Sequence, residues 1–215
     1  NGSGTFTGIT SYAPDETDED LEFTAVWQVV YYTISFSGSG GSLGGSYDTS
    51  YNITDTSITL PTVTRFAYTF TSWSNSTSVG DVSGSEYIID DNAAYDASLN
   101  LTLTATWTAI NYDVSYNAGG GIIGDSSYET SYSYENNSIT LPSVSRVGYN
   151  YNDWSGNSNV GSVTGADISG GSFVSGQYLI NSDDAYSDTL NLMLTAIWNL
   201  GVYDVSFNSN GGTIG

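Results

Sequence analysis

One block of sequence occurs twice in the same order, and that repetition restricts the chain to a string of small modules. Ser57-Ile-Thr-Leu-Pro61, Arg65, Tyr68 and Trp73 return 81 residues later as Ser138-Ile-Thr-Leu-Pro142, Arg146, Tyr149 and Trp154. An opening motif precedes each block: Tyr32-Thr-Ile-Ser-Phe36 before Gly40-Gly41 and Tyr112-Asp-Val-Ser-Tyr116 before Gly120-Gly121, with a third copy, Tyr203-Asp-Val-Ser-Phe207 before Gly211-Gly212. Its first, third and fifth residues are apolar, the period of a half-buried strand stopped by a glycine turn. A closing motif alternates in the same way and finishes on tryptophan. Its copies are Leu21, Phe23, Ala25 and Trp27; Leu99, Leu101, Leu103, Ala105 and Trp107; and Leu190, Leu192, Leu194, Ala196 and Trp198. Each predicts a strand with one buried face.

These landmarks place the C-terminal part of a module at 1–27, complete modules at 32–107 and 112–198, and the N-terminal part of a further module at 203–215. The closing tryptophans lie 80 and then 91 residues apart, and the extra length falls in a Gly- and Ser-rich stretch near 165–176, expected as a loop insertion. Four residues separate each closing Trp from the next opening Tyr, and they include Val29 and Val30, Ala109 and Ile110, Leu200 and Val202. Linkers this short and apolar predict stiff joints and an elongated rod. The two terminal parts together lack the Ile-Thr-Leu-Pro, Arg, Tyr, Trp middle, so strand exchange between copies would not complete a module. The expectation is a segment of a longer repeat protein.

The succession Tyr-x-Val-x-Phe, Gly-Gly, Ile-Thr-Leu-Pro, Arg-x-Gly-Tyr, Trp and Leu-x-Ala-x-Trp resembles the Listeria–Bacteroides repeat family, which includes the B-repeat of internalin B. The best local matches are Arg146-Val-Gly148-Tyr149 and Leu194-Thr-Ala196-Ile-Trp198. Ala67 departs from the pattern, standing where Gly148 and the family have glycine, and the modules are longer than the family's usual repeat. The resemblance implies a mainly β fold: a tandem array of small β-grasp-like modules on secreted or surface-attached microbial proteins, usually as stalk or spacer. It implies no enzyme activity.

Composition narrows the function further. With 39% hydrophobic and 14% aromatic residues the chain has material for cores. A net charge of -21, from 23 acidic residues against 2 basic ones, excludes nucleic-acid binding by counterion release and disfavours anionic lipid. No stretch is apolar enough for membrane insertion within this segment. Both basic residues are arginine and neither histidine nor cysteine occurs. The usual neutral-pH base, thiol nucleophile, Schiff-base amine, disulfide and thiolate metal site are therefore all missing. A carboxylate pair acting across a cleft remains formally open, but acids carried in the loops of small modules supply no obvious cleft. No catalytic residue, required cofactor or enzyme activity is expected.

The residues that could do something else fall in four groups. Acidic clusters precede the closing strands: Asp15, Glu16, Asp18, Glu19 and Asp20; Asp90, Asp91 and Asp96; Asp183, Asp184 and Asp188. Their recurrence makes Ca2+ a candidate ligand, against the plainer reading of solvated acidic turns. Arg65 and Arg146 occupy equivalent places beside Tyr68 and Tyr149, where a structural arginine pairs with a carboxylate or stacks on a ring. Trp73, Trp154, Trp107 and Trp198 read as structural residues at strand-alternating positions; an aromatic platform for glycan is the alternative. Sequons at Asn1, Asn52, Asn75, Asn100 and Asn136 are as many as composition alone gives, so N-glycosylation is a possibility the count does not favour. The expected partners are neighbouring repeats and other copies of the chain in a fibre; the alternative is an adhesin whose repeats bind glycan or a host receptor.

Overall fold

Residues 24–96, 98–124, 127–213 and 215 are described by the structure, a computed structural model. Leu21 and Phe23 of the first closing motif, the acidic run from Asp15 to Asp20 and the sequon at Asn1 lie outside the described residues. The fold is mainly β. Two 3-10 turns, Asn92–Tyr95 and Asp183–Tyr186, are the only helical elements among the described residues.

In the first repeat the opening motif forms β1 (Tyr31–Ser37), followed by β2 (Ser42–Gly44), β3 (Ser50–Asn52), β4 (Ser57–Thr59) and β5 (Thr62–Thr64). Then come β6 (Tyr68–Asn75), the hairpin β7 (Gly80–Ser83) and β8 (Glu86–Ile89), and the closing strand β9 (Leu101–Ala109). One sheet has the order β3-β1-β9-β6; its central pair, β1 and β9, is parallel and its outer pairs antiparallel. Smaller sheets, β2-β5 and β4-β8-β7, complete the repeat. The second repeat uses the same plan with β10 (Asn111–Asn117), β11 (Ile122–Ile123), β12 (Ser131–Ser133), β13 (Ser138–Thr140) and β14 (Val144–Ser145). It continues with β15 (Tyr149–Gly156), β16 (Gly161–Ser169), β17 (Ser172–Ile180) and β18 (Leu192–Leu200). Its main sheet, β12-β10-β18-β15, again has the opening and closing strands parallel at the centre.

Period-2 alternation decides which side chains are inside. Ile34, Tyr51, Ile58, Leu60, Trp73, Tyr87, Leu101, Leu103 and Ala105 fill the first core; Val114, Tyr132, Ile139, Leu141, Trp154, Tyr178, Leu192, Leu194 and Ala196 fill the second. The Gly-Gly turn is explained by the tryptophan that closes the repeat. A Cβ on Gly41 would stand 2.5 Å from Cζ2 of Trp107, and one on Gly121 would stand 2.9 Å from Cζ2 of Trp198. Bare backbone lets each indole lie over the turn and donate from Nε1 to a carbonyl, Trp107 to Gly38 at 2.9 Å and Trp198 to Ala118 at 2.8 Å.

Three expectations need correction. The stretch near 165–176 is not a loop: the hairpin that runs Gly80 to Ile89 in the first repeat is lengthened to Gly161 to Ile180 in the second, with Gly170 and Gly171 at its tip. The ladder continues past the glycines with register shifts between Thr164 and Asp167 and between Asp167 and Ile168. Leu99 precedes β9, and Leu190 likewise precedes β18, because Leu99 N is tied back to Asp96 O and Leu190 N to Ser187 O. The third opening motif and the first closing tryptophan form no strand. Tyr203, Val205 and Phe207 are 71%, 75% and 75% exposed, and Trp27 is 89% exposed. β1 and β10 are held by parallel partners more than 60 residues downstream, and residues 203–207 have no such strand within the described chain.

Candidate functional site

The feature with most to do is the junction of the two repeats. Ile110 alone separates β9 from β10, and its N–H donates to the carbonyl of Ala67 at 3.0 Å. Ala67 sits in the turn between β5 and β6, which is closed by Tyr68 N donating to Arg65 O at 3.2 Å. It adopts φ of 59°, a left-handed conformation that costs a residue with a Cβ about 1 kcal/mol. Its methyl offsets this by burial: Ala67 is 7% exposed and belongs to the core of the second repeat, not the first. The rings on either side follow it. Phe66 meets Tyr134 and Tyr186 edge-on at 5.5 and 6.2 Å, and Tyr68 approaches Tyr134 at 6.4 Å while its hydroxyl donates to Glu135 Oε1 at 3.1 Å. The apolar residues of the flanking joints are open instead, with Val29, Val30, Leu200 and Val202 between 51% and 89% exposed.

An arginine braces this turn and its counterpart in the second repeat. The guanidinium of Arg65 lies 3.6 Å from the ring centre of Tyr68, and that of Arg146 lies 3.8 Å from Tyr149. Arg146 Nη1 also donates to Gly119 O at 2.9 Å, joining the turn to the Gly-Gly corner. Trp73 and Trp154 are core residues, the first edge-on to Phe36 and the second to Tyr116 and Phe173.

The acidic clusters serve the 3-10 turns that follow β8 and β17. Asp91 caps the first, its Oδ1 accepting from Ala93 N at 2.8 Å. Asp96 accepts from the backbone and hydroxyl of Ser98 at 2.8 and 2.7 Å, which holds its carboxyl below the ordinary value. Asp183 and Asp184 occupy the first turn of the second, capped by Ser182. Each turn presents a carbonyl to a buried phenol: Tyr51 donates to Ala94 O and Tyr132 to Ala185 O, at 2.5 and 2.6 Å. Among the described residues no three acids converge on a point where a cation could sit; Asp90, Asp91 and Asp96 are not brought together, nor are Asp183, Asp184 and Asp188.

Two sequons are committed elsewhere. Asn52 is 7% exposed, donates from Nδ2 to Asp55 and accepts from Thr54, so a glycan on that nitrogen would break a closed turn. Asn75 donates from Nδ2 to Gly80 O and Tyr87 Oη, whereas Asn100 and Asn136 are exposed. Beside the junction lies an open cleft of about 300 Å³ lined by Tyr134, Asn137, Asn181, Asp183 and Tyr186, among others.

Phe66, Tyr134, Glu135 and Tyr186 escape the sequence reading because each differs from, or is hidden within, its repeat. One signal was available: Ala67 breaks the glycine pattern at the residue that enters the neighbouring core.

The sequence model described as the Listeria-Bacteroides repeat domain matches residues 32–106 and 112–173. A protein of Evansella cellulosilytica bearing the name Gly-rich membrane protein is 27% identical over 221 residues, covering 99% of this chain and 21% of its own length. The chain therefore spans about a fifth of that curated relative. No solved structure matches.

Proposed function

The chain belongs to the Listeria-Bacteroides repeat family, and from that premise we propose that it is a structural segment of a long secreted or cell-surface microbial protein, a semi-rigid stalk or filament without enzymatic activity. The observation that carries this reading is the junction: consecutive repeats share a core residue, Ala67, and are joined through one residue, Ile110. A tether meant only to link domains would leave their surfaces apart. The mixed sheet with its first and last strands parallel at the centre supports small β-grasp-like modules. The length and name of the Evansella relative support a longer, surface-associated protein. Stability in such an array is shared between each repeat and its neighbours.

Small-angle scattering of the 215-residue chain tests the stalk. A single elongated particle is expected; a profile of two freely turning bodies would refute it. The cleft at the junction favours a second reading, an adhesin that takes glycan or a host receptor on Tyr134 with Asn137, Asn181 and Asp183 as polar partners. Saturable binding on a glycan array, lost on Tyr134→Ser, would select it.

A further inference from the structure

We propose that the turn Arg146–Tyr149 at the far end of the second repeat is a docking face, and that its occupant is the tyrosine-bearing face of a further repeat continuing from residue 203. The inference rests on the tandem-array reading and names the contact by which such an array would propagate.

The first junction supplies the template: a turn braced by arginine on tyrosine, an apolar side chain after the arginine, and a strap N–H returning to the turn carbonyl. The second turn has every part already in place. Arg146 stacks on Tyr149, Tyr149 N donates to Arg146 O at 3.2 Å, and Gly201 N donates to Gly148 O at 2.9 Å, as Ile110 does to Ala67. The chain leaving β18 is thus directed past the turn in the same manner, and it carries the opening motif Tyr203-Asp-Val-Ser-Phe207. Two things differ: Gly148 has no methyl to bury where Ala67 has one, and the cover is not the same. Phe66, seated against Tyr134 and Tyr186, is 52% exposed, whereas Val147 at the equivalent place is 98% exposed, with Leu200 and Val202 open beside it. At the opposite end, Ile53 and Tyr95 hold the positions of Tyr134 and Tyr186, and Ile53 is 64% exposed. Plug and socket lie at opposite ends of one repeat, the head-to-tail arrangement by which one repeat can receive the next.

The chain has no cysteine, so one introduced thiol reports on each turn. Val147→Cys in the 215-residue chain is expected to react with a small alkylating reagent at the rate of an unprotected thiol, and Phe66→Cys more slowly in the same chain. Extending Val147→Cys past Gly215 with a copy of residues 125–202 completes the next repeat, because Gly215 corresponds to Gly124. Alkylation should then slow about twofold or more, toward the rate of Phe66→Cys, and serines in place of Tyr134 and Tyr186 in the added copy should restore the fast rate. Equal rates for Val147→Cys with and without the added repeat, or equal rates for Phe66→Cys and Val147→Cys in the shorter chain, would overturn the inference. Scattering reads stiffness separately. Slowed alkylation with freely turning bodies would keep the docking face and remove the stalk, and fast alkylation in a stiff particle would do the reverse.

Discussion

Gly41→Ala tests whether the Gly-Gly corner exists to admit the closing tryptophan. The added Cβ would lie 2.5 Å from Trp107 Cζ2 and 2.8 Å from Thr64 O. Carbon atoms rest about 3.5–4.0 Å apart, so the indole must retreat by about 1 Å. Over-packing of this kind costs about 1–3 kcal/mol. The retreat also breaks the bond from Trp107 Nε1 to Gly38 O, contributing about 0.5–1.5 kcal/mol more. A total of about 2–4 kcal/mol lowers the melting temperature of a module this size by about 10–25 °C. Calorimetry measures the drop, and hydrogen exchange assigns it, with β9 losing protection before β18. Gly84→Ala is the control: it sits at φ of 62° with nothing within 4 Å of its would-be Cβ, so conformational strain alone costs about 1 kcal/mol. If Gly41→Ala costs no more than Gly84→Ala, the steric account of the corner is wrong.

Arg146→Ala should destabilise the second repeat by about 1 kcal/mol through loss of the Tyr149 stack and the Gly119 bond, read by urea unfolding; an unchanged midpoint would make the arginine dispensable to the fold. Burial pushes the Tyr87 and Tyr132 phenols up to about 12, so the native state keeps protons that the unfolded chain sheds near pH 10. Stability is therefore fully present below pH 10 and is lost as pH rises toward 12, and alkaline titration followed by tyrosinate absorbance should show these rings ionising only with unfolding. Asp91→Asn should leave the heat of calorimetric Ca2+ titration unchanged, since Asp91 caps a 3-10 turn and among the described residues no three acids converge; a saturable heat abolished by that change would reinstate the site. Mass analysis of native material should find Asn52 unmodified, and a glycan there would contradict its burial.

The repeats, their opening and closing strands and most core residues were legible because strand alternation is a local property with a period of two. Ile34, Leu101, Leu103 and Trp154 announce their burial in five or six residues of context. The parallel pairing of β1 with β9 was not, since nothing local in Ile34 names Leu101 as its partner. That same non-locality applies at Tyr203–Phe207, whose alternation is as good as that of β10 yet which meets no partner strand among the described residues. The hairpin at 161–180 is hidden from the sequence because Gly165, Gly170, Gly171 and Gly176 interrupt the two-residue period and its ladder shifts register between Thr164 and Asp167 and between Asp167 and Ile168. The junction was half legible. Ala109 and Ile110, the apolar pair of this joint, point to packing, but the surface beside them is assembled from Phe66, Tyr134 and Tyr186, distant in sequence; Phe66 and Tyr134 differ from their counterparts Val147 and Ile53, while Tyr186 matches Tyr95.

Charge explains why that surface takes the form it does. Both cations of a chain with net charge -21 are stacked on tyrosines inside turns, so neither is spare to pair with an acid across a junction. Glu135 shows the consequence: its carboxylate at the joint is met by the neutral phenol of Tyr68. Like-charged repeats repel within about one Debye length, roughly 8 Å at physiological salt, so charge opposes contact and added salt relieves that opposition. Cohesion along the proposed array must then come from apolar burial and backbone bonds, and Phe66, Ala67 and Ile110 supply them. A junction built this way should hold, or tighten, as salt is raised, where one built on ion pairs would loosen.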